Sequence, residues 1–206
     1  MNNILYRVHD NLYVNLTNRC PCACAFCLRQ SMDRIGDSDA LWLKEEPDFE
    51  TIRAEFHKKS PQEMEQYNEV VFCGFGEPTE RLDLLLRVAD FVKETYQNKP
   101  IRLNTNGLGD LIQGRPIAGE LAGRIDTVSI SLNTPDREAY LELVRPKFGE
   151  QSFDAMLAFA EACVRYVPQV VLTTVDTTLT KEQEAECAAI CARIGAAYRI
   201  RPWEGN

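Results

Sequence analysis

Short runs of hydrophobic positions bounded by turn residues predict strands at 11–16, 70–73, 101–104, 127–132, 170–175 and 198–201, and in three of them hydrophobic and polar positions alternate. Leu12, Val14 and Leu16 oppose Tyr13, Asn15 and Thr17; Val128, Ile130 and Leu132 oppose Ser129, Ser131 and Asn133; Ile200 opposes Arg199 and Arg201. Successive side chains of a strand point to opposite faces, so each of these strands has one apolar and one polar face. Between the strands the period lengthens to that of a helix. Phe49, Ile52 and Phe56 share one helical face, Leu85, Val88, Ala89 and Val92 a second, and Phe153, Leu157, Ala160 and Val164 a third. Thr180 with Gln183 forms a capping-box pattern for a helix running toward Ile194, with Gly195 as its stop.

Strands separated by helices argue for parallel strands joined by helical crossovers. A parallel sheet covered by helices on both faces reads almost continuously apolar, whereas here one face is polar. An α/β fold that reconciles the two is a partial (βα)6 barrel of the TIM type. Its helices lie outside, its polar faces line the interior, and it stays open on one side because six strands fall short of eight. A doubly wound sheet with polar strand ends is the other reading. No repeat, low-complexity tract or linker divides the 206 residues, so one domain is expected.

Charge and cysteine content narrow the function. A formal net charge of −8 provides no general field for a phosphate backbone, so nucleic acid is not the default partner. No stretch approaches the ~20 consecutive apolar residues of a membrane span, and MNNILYRVHD lacks the apolar core of a signal peptide. A cytoplasmic protein without membrane contact is the expectation. In that reducing compartment, eight cysteines read as metal ligands or reactive thiols in preference to disulfides.

Cys20, Cys24 and Cys27 occur as CxxxCxxC directly after the first predicted strand. Three thiolates on one short loop can ligate three irons of a four-iron cluster and leave the fourth iron without a protein ligand. An open metal position beside a polar cavity is what substrate coordination requires. Three other readings stay open: a zinc site with Cys22 as fourth ligand, a redox dithiol made by Cys24 and Cys27, and inert buried thiols. Cys163, Cys187 and Cys191 fall on predicted helices and read as core. Cys73 ends a strand and reads as small buried filler, with hydrogen-atom donation to a radical as its reactive alternative.

With Phe26 just before the last of the three cysteines, the motif resembles CxxxCxΦC, Φ aromatic, of the radical S-adenosylmethionine (SAM) superfamily. The resemblance implies a 4Fe–4S cluster on Cys20, Cys24 and Cys27, and SAM as a second cofactor. It also implies reductive cleavage of SAM to methionine and a 5′-deoxyadenosyl radical that abstracts hydrogen from a substrate. The sequence GFGEPT, containing Gly74, Phe75, Gly76 and Glu77, resembles the family turn that receives the SAM amino group through backbone carbonyls. Phe75 stands where the commonest form has another glycine. Residues without Cβ let backbone approach a ligand closely, which gives the two glycines a reason.

Asn104 and Asn106 of NTNG match a family turn near the SAM methionine. Ser129, Ser131 and Asn133 match positions that contact ribose or carboxylate, and Arg199 and Arg201 lie where adenine is received and where an arginine meets the SAM carboxylate or an acidic substrate. The resemblance makes residues 1–206 a single radical SAM core domain. Segments 11–29 and 131–149 are similar to small radical SAM proteins associated with TatD-family nucleases, a label that names no substrate. Implied partners are an electron donor such as flavodoxin or ferredoxin, a substrate that is a small molecule or a macromolecule, and a TatD-family nuclease. An activase acting on a partner protein and a non-enzymatic iron–sulfur or zinc protein are the competing classes. Residues 30–47, charged and aromatic, read either as a lid with Trp42 over the barrel mouth or as a solvated loop.

Overall fold

The computed structural model describes residues 3–30 and 40–202. Seven strands form one sheet in chain order: β1 (Leu5–Val8), β2 (Asn11–Val14), β3 (Val70–Phe72), β4 (Ile101–Thr105), β5 (Thr127–Ser131), β6 (Gln169–Val175) and β7 (Ala197–Arg201). Strands β2 to β7 run parallel, each hydrogen-bonded to the next, and β1 pairs antiparallel with β2. The sheet does not close, and β1 and β7 are its two edges.

Among the described residues seven α-helices make the crossovers. α1 (Phe49–His57) and α2 (Pro61–Glu65) lead into β3, α3 (Leu82–Thr95) into β4 and α4 (Gly109–Gln113) into β5. α5 (Arg137–Val144) and α6 (Ser152–Val164) precede β6, and α7 (Lys181–Ile194) precedes β7. The six parallel strands and their helices are those of the expected open barrel. The hairpin strand β1 was not anticipated. Its two-residue turn is His9–Asp10 with His9 at φ 51°, a left-handed conformation reached without the glycine that normally marks such a turn in a sequence.

Helices and sheet share one continuous core on the outer face. Leu12, Val14, Phe72, Leu103, Ile130 and Leu172 meet Ile52, Phe56, Leu85, Val88, Phe159 and Cys163, all buried. Each large side chain taken fully out of water contributes about 1.5–3 kcal/mol. α6 is turned relative to expectation: Phe153, Met156, Ala160 and Cys163 face inward, while Val164 is exposed. Ile200 is also exposed; it lies on β7, the last strand of the sheet among the described residues. α7 carries the anticipated cap, with Thr180 Oγ1 accepting from Gln183 N at 3.3 Å and Gln183 Oε1 accepting from Thr180 N at 3.0 Å; Gly195 closes it at φ 85°. Cys187 and Cys191 are core residues, as read from their helix, and no disulfide joins any of the eight cysteines.

The inner face is divided. Near β1 to β3 it is apolar, with Tyr6, Val8, Leu41 and Phe75 clustered against Tyr13. Across β4 to β7 it carries Arg102, Asn104, Ser129, Ser131, Arg199 and Arg201, in a register that pairs Ser131 with Thr173 and Thr173 with Arg199. Among the described residues no helix is long and apolar enough to cross a membrane.

Candidate functional site

Parallel strands deliver their following loops to one rim, and the cysteine loop enters that rim from β2. Its backbone is tied to the end of α5. Cys22 bridges to Pro146, Ala23 N donates to Val144 O at 3.1 Å, Ala25 N to Leu143 O at 2.9 Å and Lys147 N to Pro21 O at 2.8 Å. Arg145, at φ 48°, turns the chain at the end of α5, and Arg29 donates to the Cys22 carbonyl at 2.9 Å.

Within this loop Cys22 is buried in the core, whereas Cys20, Cys24, Phe26 and Cys27 are partly exposed. The Cys22 thiol hydrogen-bonds both Cys20 and Cys24, which lowers the pKa of those two and raises its own. Burial raises the Cys27 thiol. Among the described residues no three Cys, His, Asp or Glu side chains are gathered at metal-bonding distance; the Cys20 and Cys24 thiols turn toward Cys22.

Beside the cysteines lies the turn after β3. A Cβ on Gly74 would stand 2.2 Å from Asn15 Oδ1, and one on Gly76 would stand 2.2 Å from Thr17 O and 2.7 Å from Arg19 O. Both glycines therefore admit the neighbouring loop of the chain itself, a nearer cause than the ligand approach suggested by sequence. The amide of Glu77 donates to Arg19 O at 2.8 Å, one residue before Cys20. Its carboxylate is 3% exposed and fully engaged. Oε1 accepts from Thr79 N (3.1 Å), Thr79 Oγ1 (2.8 Å) and Thr105 Oγ1 (2.8 Å), and Oε2 from Asn106 N (2.7 Å). Burial raises the Glu77 pKa, and these donors pull it partly back. Glu77 thus fastens the turn after β3 to the end of β4. Phe75 faces the inner apolar cluster, and Trp42 packs edge-on against it at 5.1 Å. Residues 31–39 of the suggested lid lie outside the described residues.

Asn106 reaches from this turn to the cysteine loop, donating through Nδ2 to Cys22 Sγ at 3.6 Å. The Asn104 amide hydrogen-bonds the Cys73 thiol, whose pKa burial raises, and leaves Asn104 Oδ1 buried without a partner. Farther round the rim, Asn133 sits at φ 67° after β5, its backbone N–H on Thr173 O at 3.1 Å. Its Nδ2 makes a 3.4 Å contact to Ser131 O, while Oδ1 is buried with no partner. Arg201 Nε is likewise buried without an acceptor. Arg199 does not join this group, since its Nη2 reaches Ser129 Oγ at 3.4 Å, two residues deeper in the barrel than Ser131.

Sequence reasoning missed the partners that fix these groups: Thr79 and Thr105 on Glu77, Asn15 over Gly74, and the partly buried Arg102 paired with Glu69 at 2.6 Å. Arg102 was legible in principle, because alternation along IRLNT places it on the face of Asn104.

A model of the radical SAM superfamily matches residues 14–194. The chain belongs to the radical SAM superfamily. It is 30% identical to a GTP 3′,8-cyclase of Corynebacterium glutamicum over 149 residues, which cover 68% of this chain and 35% of that protein. Among solved structures it resembles Streptococcus suis SuiB bound to the precursor peptide SuiA, with TM-score 0.68 and 18% identity, over 95% of this chain and 39% of that one. A radical SAM methyltransferase from Sphaerobacter thermophilus follows at TM-score 0.61 and 18% identity, over 98% and 69%. The chain therefore spans little more than a third of the length of the cyclase and of SuiB. The likeness to these structures bears on the fold, which they share as a partial barrel. Membership implies a 4Fe–4S cluster and SAM, and the donor set is chemically suited to the former: soft thiols, partly exposed, on a loop whose backbone is held independently of them.

Proposed function

We propose that the chain is a radical SAM enzyme in which Cys20, Cys24 and Cys27 hold the 4Fe–4S cluster and the adjoining rim receives SAM. The observation that carries this reading is the direct link between the two motifs, Glu77 N–H to Arg19 O at 2.8 Å, which sets the SAM-type turn against the cysteine loop. When bound, the cluster supplies the electron that cleaves the S–C bond of SAM to give methionine and a 5′-deoxyadenosyl radical. The chain's own residues bind and orient. The turn from Gly74 to Glu77 offers backbone carbonyls to the SAM ammonium, held in place by the Glu77 carboxylate. Asn104, Asn106, Ser131 and Asn133 offer amides and a hydroxyl to the methionine and ribose, and Arg201 a guanidinium to the carboxylate. Cys22, the most buried of the four, lies outside the proposed ligand set.

A low-potential electron donor of the flavodoxin or ferredoxin kind is the required partner. The segments 11–29 and 131–149 favour the small members associated with TatD-family nucleases. The reaction is tested by anaerobic reconstitution with iron and sulfide, followed by reduction with SAM and assay of 5′-deoxyadenosine. Cys20→Ala, Cys24→Ala and Cys27→Ala are each expected to abolish the cluster absorbance, and Cys22→Ala to retain it. A cluster that survives loss of Cys24 but not of Cys22 reverses the ligand assignment. SAM that is neither bound nor cleaved by the reduced protein points to an electron-transfer or structural iron–sulfur protein.

A further inference from the structure

The interior of the barrel has a second mouth, at the N-terminal ends of the strands and opposite the cysteine rim. A cavity of about 430 Å³ opens there, lined by Glu69, Arg102, Ser129, Gln169, Tyr198 and Arg199. None of these residues belongs to the proposed SAM rim. The volume lies in the range of small-molecule sites.

The cavity holds more positive than negative charge. Arg102, whose side chain is 11% exposed, is paired with Glu69, yet its Nε is buried and has no acceptor. Across the cavity Arg199, exposed at the mouth, hydrogen-bonds Ser129 Oγ, while the Glu69 carboxylate is taken by Arg102. Arg201 is the next inward residue of β7, and its Nε is also buried without an acceptor. Burial and then the two neighbouring guanidiniums, Arg102 and Arg201, lower the Arg199 pKa. Like charges gathered at one open mouth repel one another until a counter-charge arrives. Unused guanidinium N–H groups in a planar fork match the two oxygens of a phosphate or carboxylate.

We propose that this mouth is the substrate's anion site. Arg199 and Arg102, helped by Ser129 and Gln169, receive a phosphate or carboxylate group of a small molecule whose other end points toward the SAM rim. From Ser129 to Ser131 the strand rises about 7 Å, which sets the reach from the anionic group to the reacting carbon. The word substrate rests on the enzyme reading above; the binding of an anion does not.

The test is isothermal titration of the full chain with inorganic phosphate and, separately, with succinate, in a buffer free of other oxyanions. Saturable binding of at least one probe is expected, one per chain, weakened about tenfold or more in Arg199→Gln and less in Arg199→Lys, which keeps the charge but not the fork. Arg53→Gln, on the exposed face of α1, should bind as the wild type does. Phosphate alone identifies a phosphorylated substrate class, succinate alone a carboxylate. Failure of both at millimolar concentration, or equal affinity in Arg199→Gln folded as judged by circular dichroism, overturns the proposal. So does loss of SAM affinity in reconstituted Arg199→Gln with anion binding intact, because Arg199 then serves the cofactor. A wild-type protein that binds the anion but never cleaves SAM removes only the enzyme reading.

Discussion

Glu77 and Asn133 stand two strands apart on the same rim, 3% and 5% exposed, and their hydrogen-bonding capacity is used in opposite ways. Glu77 accepts four hydrogen bonds from Thr79, Thr105 and Asn106, so its carboxylate is committed to its own chain. Asn133 adopts a left-handed backbone conformation and keeps Oδ1 buried without a donor. Buried polar groups in folded proteins are almost all partnered, and an orphan is unfavourable unless something completes it. The difference separates scaffold from receptor. The Glu77 turn is saturated by its own chain, whereas Asn104 Oδ1 on β4, Asn133 Oδ1 after β5 and Arg201 Nε on β7 are buried without partners, which is where a polar ligand has most to gain.

Three variants sharpen or break this division. The largest effect belongs to Gly76→Ala, since the added Cβ meets backbone, Thr17 O at 2.2 Å, which no side-chain rotation relieves. A loss of about 3 kcal/mol or more of unfolding free energy in urea titration is expected. A wild-type midpoint would mean that Gly76 does not serve the chain's own packing.

Glu77→Ala comes second, at about 2–3 kcal/mol, because it strands the amides of Thr79 and Asn106 and two hydroxyls. Its pH behaviour follows from the raised pKa. The folded state holds the proton more tightly than the unfolded chain, so this contribution is complete below the ordinary carboxylate pKa and is lost as pH rises through the raised one. Urea midpoints across that window should fall with pH in the wild type by a component that Glu77→Gln lacks; identical slopes would place the titration elsewhere.

The smallest effect on the fold is expected for Asn133→Gly. Glycine accepts φ 67° without strain, so stability should change by less than about 1 kcal/mol. SAM affinity of the reconstituted protein should nevertheless weaken about tenfold. Destabilisation with unchanged SAM affinity would make Asn133 scaffold after all and erase the contrast with Glu77.

The parallel strands were legible because their alternation is local, and the cysteine loop because its spacing is. The phase of α6 was not, since SFDAMLAFAEACV is apolar on most of its circumference and supports both Leu157–Val164 and Met156–Cys163 as the inner face. Why Gly74 and Gly76 are glycines could not be read either: their neighbours Asn15 and Thr17 lie nearly 60 positions earlier and arrive only when β2 and β3 align. The same holds for the Glu77 carboxylate, whose partners Thr105 and Asn106 are 28 and 29 residues away. Arg199 shows the opposite limit. Its type and strand face were plain, but the direction of its guanidinium, down to Ser129 and away from the rim, depends on rotamer and on crowding by Arg102 and Arg201.

The open edge at β7 has a consequence for the protein in a crowded solution. An unpaired strand is a template on which another chain can continue the sheet, and from there an aggregate can grow. β7 is only five residues long, and its inward side chains include Arg199 and Arg201. Two copies meeting edge to edge would bring guanidiniums against guanidiniums and deprive them of solvent, so each added strand would meet a rising electrostatic barrier. The arginines that make the barrel interior attractive to an anion also discourage self-association along this edge.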